Sequence, residues 1–213
     1  LEDRDGGLWI ATQGGGLNRY DRKTDRFAVF RFDKNDPQSL QSDSIGGIYY
    51  KQALAEDGRG QIWVASMADG VSRLDKVTQR FVRYRMASEA GAGLPDDRVL
   101  AVFADRDGQI WVGTQKGLAR YDPAQDCFVP VPLALARSGQ PAVRALYAGR
   151  DGTLWLGTES DGLLRYDPQG KAVEQYLPVA GDVSSLAATS VTSIAEDLNG
   201  MLWLAHYDKT ISI

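Results

Sequence analysis

Apolar positions along this chain come in short bursts of four to six residues, rich in Val, Ile, Leu, Tyr, Phe and Trp, with no sustained helical spacing. Val99-Leu-Ala-Val-Phe103, Val191-Thr-Ser-Ile194 and Phe27-Ala-Val-Phe30 are examples. Bursts of this length and composition predict strands, since a helix needs a longer periodic run. Between them, Asp-Gly or Asn-Gly recurs just ahead of each Trp, and the pattern predicts a two-residue hairpin turn with positive φ angles leading into the Trp strand.

The bursts repeat as one larger unit. All five tryptophans stand in a single phrase: Asp3-Arg-Asp-Gly-Gly-Leu-Trp9, Asp57-Gly-Arg-Gly-Gln-Ile-Trp63, Asp105-Arg-Asp-Gly-Gln-Ile-Trp111, Gly149-Arg-Asp-Gly-Thr-Leu-Trp155 and Asp197-Leu-Asn-Gly-Met-Leu-Trp203. Gly6, Gly60, Gly108, Gly152 and Gly200 hold its fourth place, and successive Trp residues lie 54, 48, 44 and 48 positions apart. After each Trp come an aliphatic residue, Ala or Gly, and a small hydroxyl (Thr12, Ser66, Thr114, Thr158), replaced by His206 in the last copy. Gly16-Leu-Asn-Arg-Tyr-Asp21, Gly70-Val-Ser-Arg-Leu-Asp75, Gly117-Leu-Ala-Arg-Tyr-Asp122 and Gly162-Leu-Leu-Arg-Tyr-Asp167 follow, each with a further apolar burst behind it. Four strands per ~48 residues, repeated, is the arithmetic of an all-β propeller whose blades are four antiparallel strands.

With strands A to D counted from the inside, Trp on B and Gly-Leu-x-Arg-Tyr-Asp on C, the chain yields 18 strands, or about four and a half blades. A partial blade covers 1–33, full blades cover about 44–86, 98–132 and 142–177, and a last partial blade covers 190–213. Both ends would supply B and C, so simple ring closure fails. The expectation is an arc of a larger ring, excised from a longer protein, whose open blade edges pair with a second copy or with further sequence; a squeezed five-blade ring is the alternative.

Beside the repeat, composition adds mostly exclusions. A net charge of −4 with 24% charged residues offers no basic surface for nucleic acid or an anionic membrane, and no direct membrane contact is expected of this segment. One cysteine, Cys127, permits no intrachain disulfide and no thiolate metal cluster, and one histidine permits no histidine metal cluster. The Asp-x-Asp-Gly turns lack the continuation of a calcium loop, and Gly14-Gly15-Gly16 lacks the lysine and helix of a phosphate cradle. No cofactor is expected.

The unit, Asp-x-x-Gly-x-[Leu/Ile]-Trp-[Ile/Val/Leu]-[Gly/Ala]-Thr followed by Gly-Leu-x-Arg-[Tyr/Phe]-Asp, resembles the two-component regulator propeller repeat. The linkers Asp36-Pro-Gln-Ser-Leu40 with Ile45, Asp182-Val-Ser-Ser-Leu186 with Val191, and the Leu94-to-Val99 spacing belong to the same resemblance. It implies a seven-bladed propeller in the periplasmic sensor region of a hybrid histidine kinase or diguanylate cyclase. It also implies a small-molecule or oligosaccharide ligand, and signalling through propeller docking in a dimer.

Residues present in every unit read as scaffold: the five Trp and five Gly, and the recurring Arg19, Arg73, Arg120 and Arg165 with Asp21, Asp75, Asp122 and Asp167, expected as ion pairs or as bonds to loop carbonyls. Departures from the repeat read as candidate ligand contacts. The last unit offers His206-Tyr207-Asp208-Lys209 on its B–C connection, expected as an exposed cluster. The second unit carries about six extra residues between Ile45 and Asp57, placed either in the A–B turn or before strand A; the latter brings Tyr49, Tyr50 and Lys51 to the same face as His206. Two other readings remain: a protein-interaction propeller, and a propeller lyase resembling streptogramin lyase, for which His206 would be the base.

Overall fold

In a computed structural model the described residues are 1–46, 52–86, 92–133, 135 and 139–213. They form 18 strands in five antiparallel sheets, matching the blade arithmetic. Blade 1 comprises β1 (Leu8–Thr12), β2 (Gly16–Asp21) and β3 (Arg26–Phe30), and blade 2 comprises β4 (Leu54–Glu56), β5 (Ile62–Ser66), β6 (Gly70–Asp75) and β7 (Arg80–Tyr84). Blade 3 comprises β8 (Val99–Ala104), β9 (Ile110–Thr114), β10 (Gly117–Asp122) and β11 (Cys127–Val131), and blade 4 comprises β12 (Val143–Ala148), β13 (Leu154–Thr158), β14 (Leu163–Asp167) and β15 (Ala172–Tyr176). Blade 5 has β16 (Val191–Glu196), β17 (Leu202–His206) and β18 (Ile211–Ser212). Leu1 begins an inner strand for blade 1, exchanging both backbone hydrogen bonds with Trp9.

The A–B turn is not the two-residue hairpin expected from Asp-Gly. In blade 1, Asp3 N–H donates to Gly7 O and Gly6 N–H to Asp3 O, leaving a three-residue loop in which only Gly6 has positive φ. One left-handed residue suffices for a type I turn closed by a glycine bulge, so the preceding Asp5 stays right-handed. The first Asp of the phrase organises the loop: Asp57 accepts from Arg59 N–H at 2.9 Å, Gln61 N–H at 3.0 Å and the Trp63 indole at 2.8 Å. Asp3, Asp105 and Asp197 repeat the three contacts. Blade 4 has Gly149 instead, and Asp151 accepts the Thr153 amide and hydroxyl.

The recurring Arg and Asp do not pair with each other; where ion pairs form, Arg73 takes Asp126 and Arg165 takes Asp151. Each Arg lies directly across the B–C ladder from its Trp, and Arg19, Arg73 and Arg165 set their guanidiniums 5.5, 5.6 and 5.8 Å from the facing indole centroids. Each Asp instead caps the C–D turn, accepting the amide two residues on (Lys23, Val77, Ala124, Gln169).

Blades stack by burying the Trp face of one against the leading face of the next. Trp9, Leu17 and Phe30 meet Ile62, Leu74 and Phe81; Trp63 and Tyr84 meet Ile110, Tyr121 and Phe128; Trp111 and Leu118 meet Leu154 and Tyr166. Between blades 2 and 3 the stack carries a polar knot in which Asp126 accepts from Tyr84, Tyr121 and Arg73 at 2.6, 2.6 and 2.7 Å. Burial, then the bond to Asp126, pushes both tyrosine hydroxyls above their ordinary range. A second tie links successive A–B turns: Arg4 meets Glu56 at 3.2 Å and Arg150 meets Glu196 at 2.7 Å. Where blade 2 has Gly58 at that turn position, its backbone lies against Gly108, where a Cβ would sit 2.4 Å from Gly58 N.

Both ends of the arc are open. Trp9 is 2% exposed, but Trp203 is 43% exposed and Phe27, on the leading face of blade 1, 55%. The five Trp are therefore not uniformly core: burial falls away where no further blade covers them.

Candidate functional site

B–C loops and D–A linkers share one face of the arc, because strand A starts opposite the end of strand B: Val99 opposite Thr114, Val143 opposite Thr158, Val191 opposite His206. The loop hydroxyl folds back onto its own turn. Thr12, Thr114 and Thr158 donate to the carbonyls of Gly16, Gly117 and Gly162 at 2.7, 2.9 and 2.8 Å. His206 occupies this structural place in blade 5. It is buried, with Nδ1 2.9 Å from Ser190 O and Nε2 2.8 Å from Ser212 Oγ.

The exposed His-Tyr-Asp-Lys cluster therefore does not form as such: His206 turns inward because it takes the inward-facing position of the hydroxyl. Tyr207, Asp208 and Lys209 do lie exposed on the loop. Asp208 accepts from the Thr210 amide at 3.1 Å and hydroxyl at 2.6 Å, and Lys209 has φ +71°. Tyr49, Tyr50 and Lys51 lie outside the described residues.

What brackets that segment is informative. Strand A begins with a bulge in blades 3, 4 and 5, where register shifts between Val99 and Ala101, Val143 and Ala145, and Val191 and Ser193. In blade 2, Ile45 bridges Ser66 while Ala53 O accepts from Ala65 N–H. One residue separates the equivalent pair in blade 3, whereas seven (46–52) do so here. The six extra residues therefore fall between these two pairings, and residues 47–51 lie outside the described residues. That position precedes β4 (Leu54–Glu56) and excludes the A–B turn, where Asp57 and Gln61 close the same loop as in the other blades.

Bulges re-aim side chains, and in blade 4 the bulge residue is Arg144. Its Nη2 lies 2.5 Å from Glu159 Oε1, on the B–C loop of the same blade. Gln115, in the same place on the loop of blade 3, donates to Glu159 Oε2 at 3.0 Å. Its backbone N–H donates to Arg98 O. The Gln115 amide, opposed by partial burial and then aided by Arg144 and Arg98, holds the Glu159 carboxyl below its ordinary range, so it is ionised at neutral pH. Arg98 and Glu159 reach solvent, whereas the Arg144 side chain is mostly covered. The result is a partly open group of two guanidiniums, one amide and one carboxylate across two blades. Such a set can both donate to and accept from a polyhydroxylated or acidic ligand. Sequence reading passed over it because Arg144 and Glu159 both lie inside the fourth unit, whose four-strand pattern is complete. The signal was there: the bulge position reads Leu100 and Thr192 in the neighbouring blades, and the loop position reads Gln115 and Tyr207.

A second group of charges has a different character. Asp3, Asp5 and Glu56 bring carboxylate oxygens within 4.8 Å of one another, but Lys76 Nζ sits among them at 3.2, 2.7 and 3.0 Å. The ammonium already fills the place a cation would take. Desolvation works against its charge, yet the three carboxylates prevail and its pKa is pushed up to about 12.

Comparison with known proteins agrees with this architecture. The two-component regulator propeller model matches residues 93–116 and 138–160, the stretches that carry Arg98, Gln115, Arg144 and Glu159. No curated protein matches the chain by sequence. Among solved structures, the chain is similar to the extracellular domain of a B. thetaiotaomicron protein assigned as a hybrid two-component system. Identity there is 24% over 96% of this chain and 31% of that one, with TM-score 0.52. A second B. thetaiotaomicron extracellular domain, assigned as a one-component system, gives 18% identity, 100% and 36% coverage and TM-score 0.63. Virginiamycin B lyase from Staphylococcus aureus, solved as an inactive variant with quinupristin, gives 13% identity, 100% and 67% coverage and TM-score 0.68. These likenesses establish the propeller fold. The chain spans about a third of the length of the two extracellular domains.

Proposed function

Since the chain carries repeats of the two-component regulator propeller family, we propose that it is the ligand-sensing part of an extracytoplasmic, periplasmic receptor region. In this reading it is non-catalytic and reads its ligand on the B–C face of blades 3 and 4. The observation that carries the reading is the Arg144 bulge aimed at a half-open Glu159, with Gln115 on the adjacent blade sharing the same carboxylate. Inter-blade contacts of this kind let an occupant change how two blades lean on each other, which is a route from binding to docking. A glycan or sugar acid suits the set, as hydroxyl pairs accept from Arg and Gln while donating to Glu.

The lyase reading loses its support at His206, the chain's one histidine, whose two ring nitrogens are both held by neighbours. A protein-interaction role has one observation in its favour, the apolar side chains bare at the arc's ends. Self-association through those edges is part of the same proposal. A thermal-shift screen against neutral oligosaccharides and sugar acids tests the sensing role. A ligand at 100 times its Kd adds about 2.7 kcal/mol, and the expected result is a shift for one glycan class that Arg144→Ala abolishes. Absence of a shift across the screen, with concentration-dependent assembly instead, would favour the protein-interaction reading.

A further inference from the structure

The bulge position of strand A is filled differently in each blade, and each side chain goes somewhere else. Leu100 is buried, Thr192 donates its hydroxyl to Ala205 O at 3.1 Å, and Arg144 meets Glu159. Blade 2 has Gln52 at the same place, since Ala53 bonds Ala65 where Ala101 and Ala145 stand opposite Gly113 and Gly157. Gln52 does not stay within its own blade. Its backbone oxygen accepts from Val102 N–H of blade 3 at 2.8 Å. Its side chain passes on to blade 4, where Nε2 donates to Leu146 O at 2.7 Å and Oε1 accepts from Leu146 N–H at 2.9 Å.

Strand A has strand B on one side only, so its other edge carries backbone groups without a ladder partner. Val102 and Leu146 hold the same place on that edge, opposite Val112 and Leu156. A primary carboxamide copies a peptide group, presenting a donor and an acceptor side by side. Gln52 thus acts as a one-residue strand laid along β12, and it ties blade 2 to a blade two places further on. The tie lands two residues from Arg144. Arg144 itself has no partner on β13, so its backbone is fixed through Val143 on one side and through Ala145 and Leu146 on the other.

We propose that Gln52 is a positioning residue for the Arg144–Glu159 pair. By clamping Leu146 from the inner edge, it sets the bulge that aims the guanidinium at the B–C loop. Blade 2 thereby acts on a site built from blades 3 and 4. The use of that link in sensing rests on the function proposed above, whereas the link itself does not.

Gln52→Met keeps the side-chain length and removes both bonds, and Gln52→Glu sets a carboxylate against Leu146 O. Two ligand-free NMR measurements on the 213-residue protein test the role. Exchange of the Leu146 amide should quicken by about tenfold or more in both variants. The Glu159 carboxyl, held below its ordinary range in the parent, should titrate higher in both, by about half the rise that Arg144→Met produces. Gly14→Ala, which strains the distant B–C loop of blade 1 through its positive φ, should move neither. A Leu146 amide that exchanges as in the parent overturns the proposal, as does a Glu159 titration that Arg144→Met moves and the Gln52 variants do not. A rise matched by Gly14→Ala also overturns it, because the effect would then be general loosening. Neither measurement uses a ligand, so a glycan screen without hits counts against the sensing role alone.

Discussion

The Asp-Trp bracket of the A–B turn makes a sharp prediction. Asp57→Ala deletes one carboxylate that accepts from Arg59 N–H, Gln61 N–H and the Trp63 indole, all within 3.0 Å. Asp57 and Trp63 are both buried, so the indole N–H is left without a partner and water does not replace it. A hydrogen bond to a charged group contributes about 1.5–3 kcal/mol. Three bonds sharing one acceptor are not additive, and about 3 kcal/mol is the expected total. With m near ~2 kcal/mol/M, the urea midpoint of the Trp fluorescence transition should fall by about 1.5 M. Asp57→Asn keeps an acceptor for the turn amides but loses the charge, and should cost roughly half as much. Blade 4 supplies the control: a Cβ at Gly149 would sit 2.8 Å from Asp151 Oδ1, a carboxyl held down at about 2 chiefly by Thr153. Gly149→Asp, which restores the repeat's consensus, should therefore give no stabilisation. A midpoint for Asp57→Ala within about 0.3 M of the parent, or a Gly149→Asp variant stabilised by more than ~1 kcal/mol on the same scale, would refute the bracket.

Other consequences follow from the blade contacts. Gly113→Ala places a Cβ 2.4 Å from Val143 O of the next blade and should destabilise by about 2 kcal/mol or more, whereas Gly14→Ala meets nothing within 4 Å and should cost only the ~1 kcal/mol of its positive φ. Lys76, raised to about 12 against an unfolded value near ~10.4, contributes stability that is complete below the unfolded value. That contribution is lost as pH climbs through 12, and after screening it should amount to about 1 kcal/mol and vanish in Lys76→Met. The buried Asp126 partners Tyr84 and Tyr121 should remain protonated in an ultraviolet titration after exposed tyrosines have ionised, and should ionise only as the protein unfolds. His206→Thr should fold, because Thr158 and Thr114 fill the same place, while releasing the contact to Ser212 and loosening β18 to hydrogen exchange.

The fold was legible because it is written five times over. Trp at a constant place and glycine three before it in all five units, with Arg-Tyr-Asp or Arg-Leu-Asp after it in four, sufficed to place 18 strands, since each phrase serves the same local geometry wherever it recurs. Pairwise geometry was less legible. Arg19 and Asp21 are two apart in sequence and of opposite charge, yet on a strand that spacing aims both to one side, and the nearer partners are an indole across the ladder and the turn's own amides. The candidate site was least legible, for the same reason. Departures in the chain's least regular unit drew the eye to His206, whose position dictates burial. The departures that meet in space are Arg144, in a bulge that hydrophobic patterning does not mark, and Glu159, on the loop beside it.

Hydrogen exchange with and without a glycan identified by the thermal-shift screen tests the central claim most directly. A sensing site on the B–C face predicts protection confined to the bulge at 143–145 and the loops at 114–117 and 158–162. Protection confined to other segments, or none in those three at saturating ligand, would contradict it.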